Sequence, residues 1–135
     1  MKNKLILLSV LVLVTISACK KTDNAANWVG TYTSGTPTDS VNQVTITEVN
    51  STTLTIQLQA HYGSVVYTYA TLQQVPLQSA TTLTIDETGN IAGYPALYQF
   101  TGSGVLSGNS LTLSGQAVNT VLSSDVKAYY FSGGK

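Results

Sequence analysis

The chain has 135 residues, 43% hydrophobic but only 9% charged, with six lysines, six acidic residues and no arginine. That length accommodates one domain, and a neutral balance without arginine lacks the clustered cations that a nucleic-acid binder needs. A single cysteine and a single histidine exclude a disulfide framework and a Cys-based zinc cluster and argue against a multi-histidine centre, so no metal or cofactor is expected.

The chain opens with Lys2 and Lys4, followed by an apolar run from Leu5 to Val14 that only Ser9 interrupts. The run is shorter than the ~20 residues of a bilayer-crossing helix and shows no polar face at helical spacing. It reads as the apolar region of a secretory signal, and Ile16-Ser17-Ala18-Cys19 follows it. This tetrapeptide resembles the lipobox of bacterial lipoproteins. The resemblance implies cleavage between Ala18 and Cys19, a signal peptide over residues 1–18, and acyl chains on Cys19. Two or three chains suffice for a durable anchor. It further implies a cell-envelope location at the outer membrane of a Gram-negative bacterium, facing either the periplasm or the cell surface. Once residues 1–18 are removed, four lysines remain against six acids, a balance of −2.

Residues 19–27 read as the lipidated cysteine and a polar tether, which reaches roughly 25 Å when extended. Lys20-Lys21-Thr22-Asp23 partly resembles the Lys-plus-acidic tract that exports some lipoproteins to the cell surface. It reads equally as a solvated linker. Asp39-Ser40-Val41 matches an O-glycosylation tripeptide of some Gram-negative envelope proteins, which makes Ser40 a candidate acceptor.

From Trp28 to Lys135 the pattern is that of strands. Val44, Ile46 and Glu48 alternate with Thr45 and Thr47; Asn50-Ser51 makes a turn; Leu54, Ile56 and Leu58 alternate with Thr55, Gln57 and Gln59. His61-Tyr62-Gly63-Ser64 is a second expected turn, before a β-prone run from Val65 to Leu72. Leu83 and Ile85 lead to Asp86-Glu87-Thr88-Gly89-Asn90, whose composition predicts a turn. Tyr98-Gln99-Phe100 precedes Gly102-Ser103-Gly104; Val105-Leu106 and Leu111-Thr112-Leu113 flank the turn Ser107–Ser110; Val126 to Phe131 is the last strand. Ala117 to Asp125 reads as a loop or a single turn. Pro37, Pro76 and Pro95 fall near strand ends, where a missing N–H costs little. The expected fold is all-β, a small antiparallel up-and-down meander closed as a barrel.

Trp28-Val29-Gly30-Thr31-Tyr32 resembles the Trp-x-Gly-x-Tyr opening of lipocalin-like (calycin-type) domains. Gly102–Leu106 with Gly108–Leu113 resembles their late hairpins. The resemblance implies that Trp28 plugs the closed end of the barrel. About 105 residues without a C-terminal helix favour a filled barrel over a cup.

Of the groups that carry chemistry, His61 is expected as an exposed turn residue beside an aromatic neighbour. Asp86 and Glu87 are expected to be solvated in their turn. Asp39, Glu48 and Asp125 are the carboxylates whose convergence would matter to acid–base chemistry. There is no Gly-x-Ser-x-Gly elbow and no phosphate-cradling loop with lysine. Among the eight tyrosines, Tyr67 and Tyr69 share a strand face, and with Tyr98 and Tyr129 they line the interior or form a stacking surface; Tyr130 points opposite to Tyr129. Trp28, His61, Tyr67, Tyr69 and Tyr98 are therefore the candidate ligand or partner contacts. The preferred function is a non-enzymatic interaction or structural domain on a lipid anchor, meeting an envelope protein or glycan. The alternative is a lipocalin-like binder of a small apolar or amphipathic ligand.

Overall fold

The computed structural model describes residues 23–35 and 41–135. The signal segment, Ala18, Cys19, Pro37, Asp39 and Ser40 lie outside the described residues. A single 3₁₀ turn, Ala25–Asn27, precedes eight strands: β1 Gly30–Thr33, β2 Gln43–Asn50, β3 Thr53–Tyr62, β4 Val65–Pro76, β5 Thr82–Asn90, β6 Leu97–Ser107, β7 Ser110–Asn119 and β8 Val126–Gly134. They form one antiparallel sheet in the order β4-β3-β2-β1-β8-β7-β6-β5, an up-and-down barrel that is nearly closed. This is the fold class expected from the period-two pattern.

Alternation decides which side chains enter the barrel. Val44 and Ile46 of β2, Leu54, Ile56 and Leu58 of β3, Leu83 and Ile85 of β5 and Leu111 and Leu113 of β7 are all buried. Phe100, Phe131, Tyr98 and Tyr129 fill the remaining interior. Each large side chain removed from water contributes roughly 1.5–3 kcal/mol. The intervening threonines face outward, as β-branched residues on a wetted sheet do.

The structure corrects the pattern reading in four places. Asp86–Asn90 is the second half of β5, paired residue by residue with β6, including Glu87 to Phe100 and Gly89 to Tyr98. The chain turns only afterwards, at Ile91–Ala96. His61 and Tyr62, expected in a turn, are the last residues of β3, and only Gly63-Ser64 turns; β6 runs unbroken through Gly102-Ser103-Gly104. Gly102 faces Gly115 of β7, and the Tyr129 ring lies over this pair, filling the space that two side chains would otherwise occupy. Ala117–Asn119 completes β7, and the loop begins at Thr120.

The barrel ends differ. At one end the turns after β2, β4 and β6 meet the N-terminal 3₁₀ turn. Trp28 is fully buried there, and its Nε1 donates to Ala80 O at 3.0 Å. Tyr32 Oη donates to Trp28 O at 2.7 Å, and Ala25 N to Ser51 O at 3.3 Å. Trp28 thus closes this end. The opposite, open end carries the Gly63-Ser64 turn and the loops 91–96 and 120–125.

Candidate functional site

Between β4 and β5 the barrel ladder is interrupted. The two strands are joined near the closed end by the bridge Leu77–Leu83 and near the open end by Ala70–Ile91, with Ala92 N donating to Tyr69 O at 2.9 Å. Between these bridges a bulge in β4 sets Gln73 and Gln74 together against Thr55 of β3. A bulge brings two successive N–H groups toward one point. Here both donate to Glu87 Oε1, from Gln73 at 3.0 Å and from Gln74 at 2.8 Å. A carboxylate therefore replaces the missing ladder bonds. Glu87 Oε2 is buried, with no hydrogen-bond partner among the described residues. A cleft of ≈ 630 Å³ lies over this seam, bounded by Tyr69, Thr71, Gln74, Glu87 and Asn90.

The cleft adjoins a polar cluster at the open end. Asp125 Oδ2 accepts from Tyr98 Oη at 2.6 Å and from Asn119 Nδ2 at 3.2 Å, while Oδ1 pairs with Lys127 Nζ at 3.0 Å. Those three donors hold the Asp125 carboxyl down at about 2. Its charge in turn raises the Lys127 ammonium and the Tyr98 phenol, chiefly through the same hydrogen bonds. Lys127 Nζ stands 4.3 Å over the Tyr94 ring, which meets Tyr98 edge-on at 6.1 Å. Tyr69 faces this cluster electrostatically; burial raises its phenol and Lys127 partly offsets that.

The same cluster shapes the loop after β7. Asn119 Oδ1 accepts from Val121 N at 2.9 Å and Leu122 N at 3.1 Å, and Asp125 N donates to Leu122 O at 2.9 Å. The loop is held by its own polar groups, yet it presents Val121 at 90% and Leu122 at 57% exposure. Tyr62, Val65, Val66, Tyr67 and Tyr94 are also exposed at this end. These side chains form an exposed apolar rim on hydrogen-bonded supports.

No protein-family model, curated protein or solved structure matches this chain.

The expected site residues fall in different places. Trp28 belongs to the closed-end core. Tyr98 and Tyr129 enter the interior, and burial pushes the Tyr129 phenol up to about 12. Tyr67 departs from its expected partnership with Tyr69, because Tyr69 is the extra residue of a second β4 bulge, between Thr68 and Ala70. Tyr67 is exposed on the ribbon beyond the barrel, while Tyr69 borders the cleft. His61, expected in a turn, is instead an exposed residue near the end of β3, paired with Val66. Its main chain is clasped by Asn42, which donates Nδ2 to His61 O at 3.0 Å and accepts His61 N at Oδ1. Tyr130 is exposed, opposite to Tyr129, as expected.

The carboxylates do not converge as envisaged. Glu48 sits beside the closed-end turn of β2, Asp125 stands at the open end, and Asp39 lies outside the described residues. Glu87, expected to be solvated in a turn, is instead the clip of the seam. Its signal was present as alternation, since Leu83, Ile85 and Glu87 share one strand face.

Proposed function

We propose that the chain is a lipid-anchored envelope protein whose lipocalin-like barrel is a non-enzymatic interaction module. The supporting observation is the contrast between a barrel interior packed with side chains and an open end ringed by exposed Tyr62, Val66, Tyr67, Val121 and Leu122. The described N-terminal residues enter at the closed end. An anchor at Cys19, cleaved from its signal after Ala18, would direct the apolar rim away from its own membrane toward an envelope protein or glycan. No metal, cofactor or nucleic acid enters this reading.

Fractionation of cells expressing Cys19→Ala tests the anchor, with release of the variant into the soluble fraction expected. Unchanged membrane retention would overturn it. The cleft of ≈ 630 Å³ beside Tyr69 favours one second reading, a binder of a small amphipathic ligand. Native mass spectrometry of the full chain in detergent separates the two. Chain mass alone agrees with the interaction module, and a co-purified hydrophobic molecule would replace it with the ligand binder.

A further inference from the structure

β3 and β4 continue past the barrel as a two-stranded ribbon closed by the two-residue turn Gly63-Ser64, with Gly63 at φ +62°. Glycine at the first central position suits a type II′ turn. In a two-residue hairpin the closing pair, Tyr62 and Val65, exchanges both main-chain hydrogen bonds. Alternation then aims the N–H and C=O groups of Val65 and Tyr67 at β3, and those of Val66 and Thr68 at the opposite edge. β5 bridges β4 only from Ala70 onward, and Ala92 reaches no further than Tyr69 O. Among the described residues nothing pairs with the edge from Val65 to Thr68.

Elsewhere the molecule covers such edges. Asn42 serves the β3 edge at His61, and Glu87 serves the β4 edge at Gln73 and Gln74. The Val65–Thr68 edge has no such cover and none of the usual deterrents. From Val49 to Ile85 the sequence contains no Asp, Glu, Lys or Arg, and the four edge residues are exposed and β-prone. Natural strand edges are ordinarily blunted by charge, proline or cover, and an unblunted edge is a template for another strand.

We infer that this edge pairs with the same edge of a second copy of the chain, antiparallel and centred on Tyr67. In that register Val66 of each copy lies opposite Thr68 of the other. Each N–H donates to the facing C=O, so about four main-chain bonds form. Tyr67 meets Tyr67 of the second copy as a non-hydrogen-bonded pair, the closer kind, where aromatic side chains pack well. The edge is self-complementary in donors, acceptors and charge, which is what an isologous contact requires. The antiparallel register sets the two closed ends at opposite poles, joining the barrels through their open ends. This inference names a partner for the proposed interaction module but does not depend on the anchor.

Sedimentation of the full chain in mild detergent across a concentration series provides the test. A monomer–dimer equilibrium is expected. Tyr67→Lys, which sets two ammonium groups against each other at the axis, is expected to raise its dissociation constant at least about tenfold. Val105→Lys, at an exposed apolar site of β6 toward the closed end, should leave it unchanged. Under oxidation Tyr67→Cys should give a disulfide-linked dimer that Tyr130→Cys does not, since the Cα spacing of such a pair lies within disulfide range. A chain that stays monomeric throughout would overturn the inference, as would a dimer indifferent to Tyr67→Lys. Edge occupancy by an extended peptide of another protein without self-association would overturn it too. All three outcomes are read separately from the membrane fractionation of Cys19→Ala.

Discussion

Tyr98 donates its phenolic hydrogen to Asp125 across 2.6 Å, tying the start of β6 to the residue before β8 over a separation of 27 positions. The hydroxyl of a buried aromatic and the carboxylate of a loop satisfy each other, and the loop carrying Val121 and Leu122 is built on that pair.

The pair predicts a pH dependence. Asp125 titrates at about 2 in the fold, below the ordinary 3.8. The unfolded chain therefore binds more protons between these values, and stability rises with pH across that window. The contribution is present above about pH 4 and is lost as pH falls toward the folded value of about 2. Urea unfolding at pH 2 to 5 should show this loss, and Tyr98→Phe should make it smaller by returning Asp125 toward its ordinary range. An unchanged pH profile in Tyr98→Phe would show that the hydrogen bond does not set the Asp125 value.

Glu87→Ala removes the acceptor shared by Gln73 N and Gln74 N. Unmade hydrogen bonds of this kind cost about 1–3 kcal/mol, with the lower part expected here because water reaches the neighbouring cleft. Hydrogen exchange at the Gln73 and Gln74 amides should accelerate, while Leu111 and Leu113 of β7 stay protected. Equal acceleration in both regions would mean that the clip holds the whole barrel rather than the seam.

Gly115→Ala places a methyl group against Thr101 O and the ring and hydroxyl of Tyr129. The ring is fixed by its own hydrogen bond to Thr101 O at 3.1 Å, so it has little room to yield. Overpacking of this kind costs about 1–3 kcal/mol. Chemical denaturation should register that loss, whereas Gly108→Ala meets no neighbouring atom and carries only the strain of its φ of +58°. A larger loss at Gly108 than at Gly115 would contradict the packing account.

The two β4 bulges explain why the site was harder to read than the fold. Alternation along Leu54–Leu58 and Leu111–Leu113 follows strand period, because one face of each strand must be apolar. Between Thr68 and Val75 the period slips twice, at Tyr69 and at Gln73-Gln74, and each slip re-aims the groups that follow. Nothing in the residue types around Tyr67 and Tyr69 announces that one stands in solvent and the other beside the cleft. Asp86–Asn90 misled for a related reason. Asp, Thr, Gly and Asn are turn formers, yet they are tolerated on a strand whose outer face is wet and whose ladder to β6 is complete.

The sequence alone determined the strand class, the meander and the positions of most turns. These follow from local alternation, turn chemistry and the amount of apolar surface to be buried, all of which are written within a few residues. Only the tertiary structure decided that Glu87 clips β4 to β5, that Asp125 gathers Tyr98, Asn119 and Lys127, and that one edge of β4 is left uncovered. Glu87 lies 13 positions from Gln74 and Asp125 lies 27 from Tyr98, and the free edge depends on where a neighbouring strand ends. The physical reason is that pairing across strands, bulges included, is settled by the closed sheet as a whole rather than by any one segment.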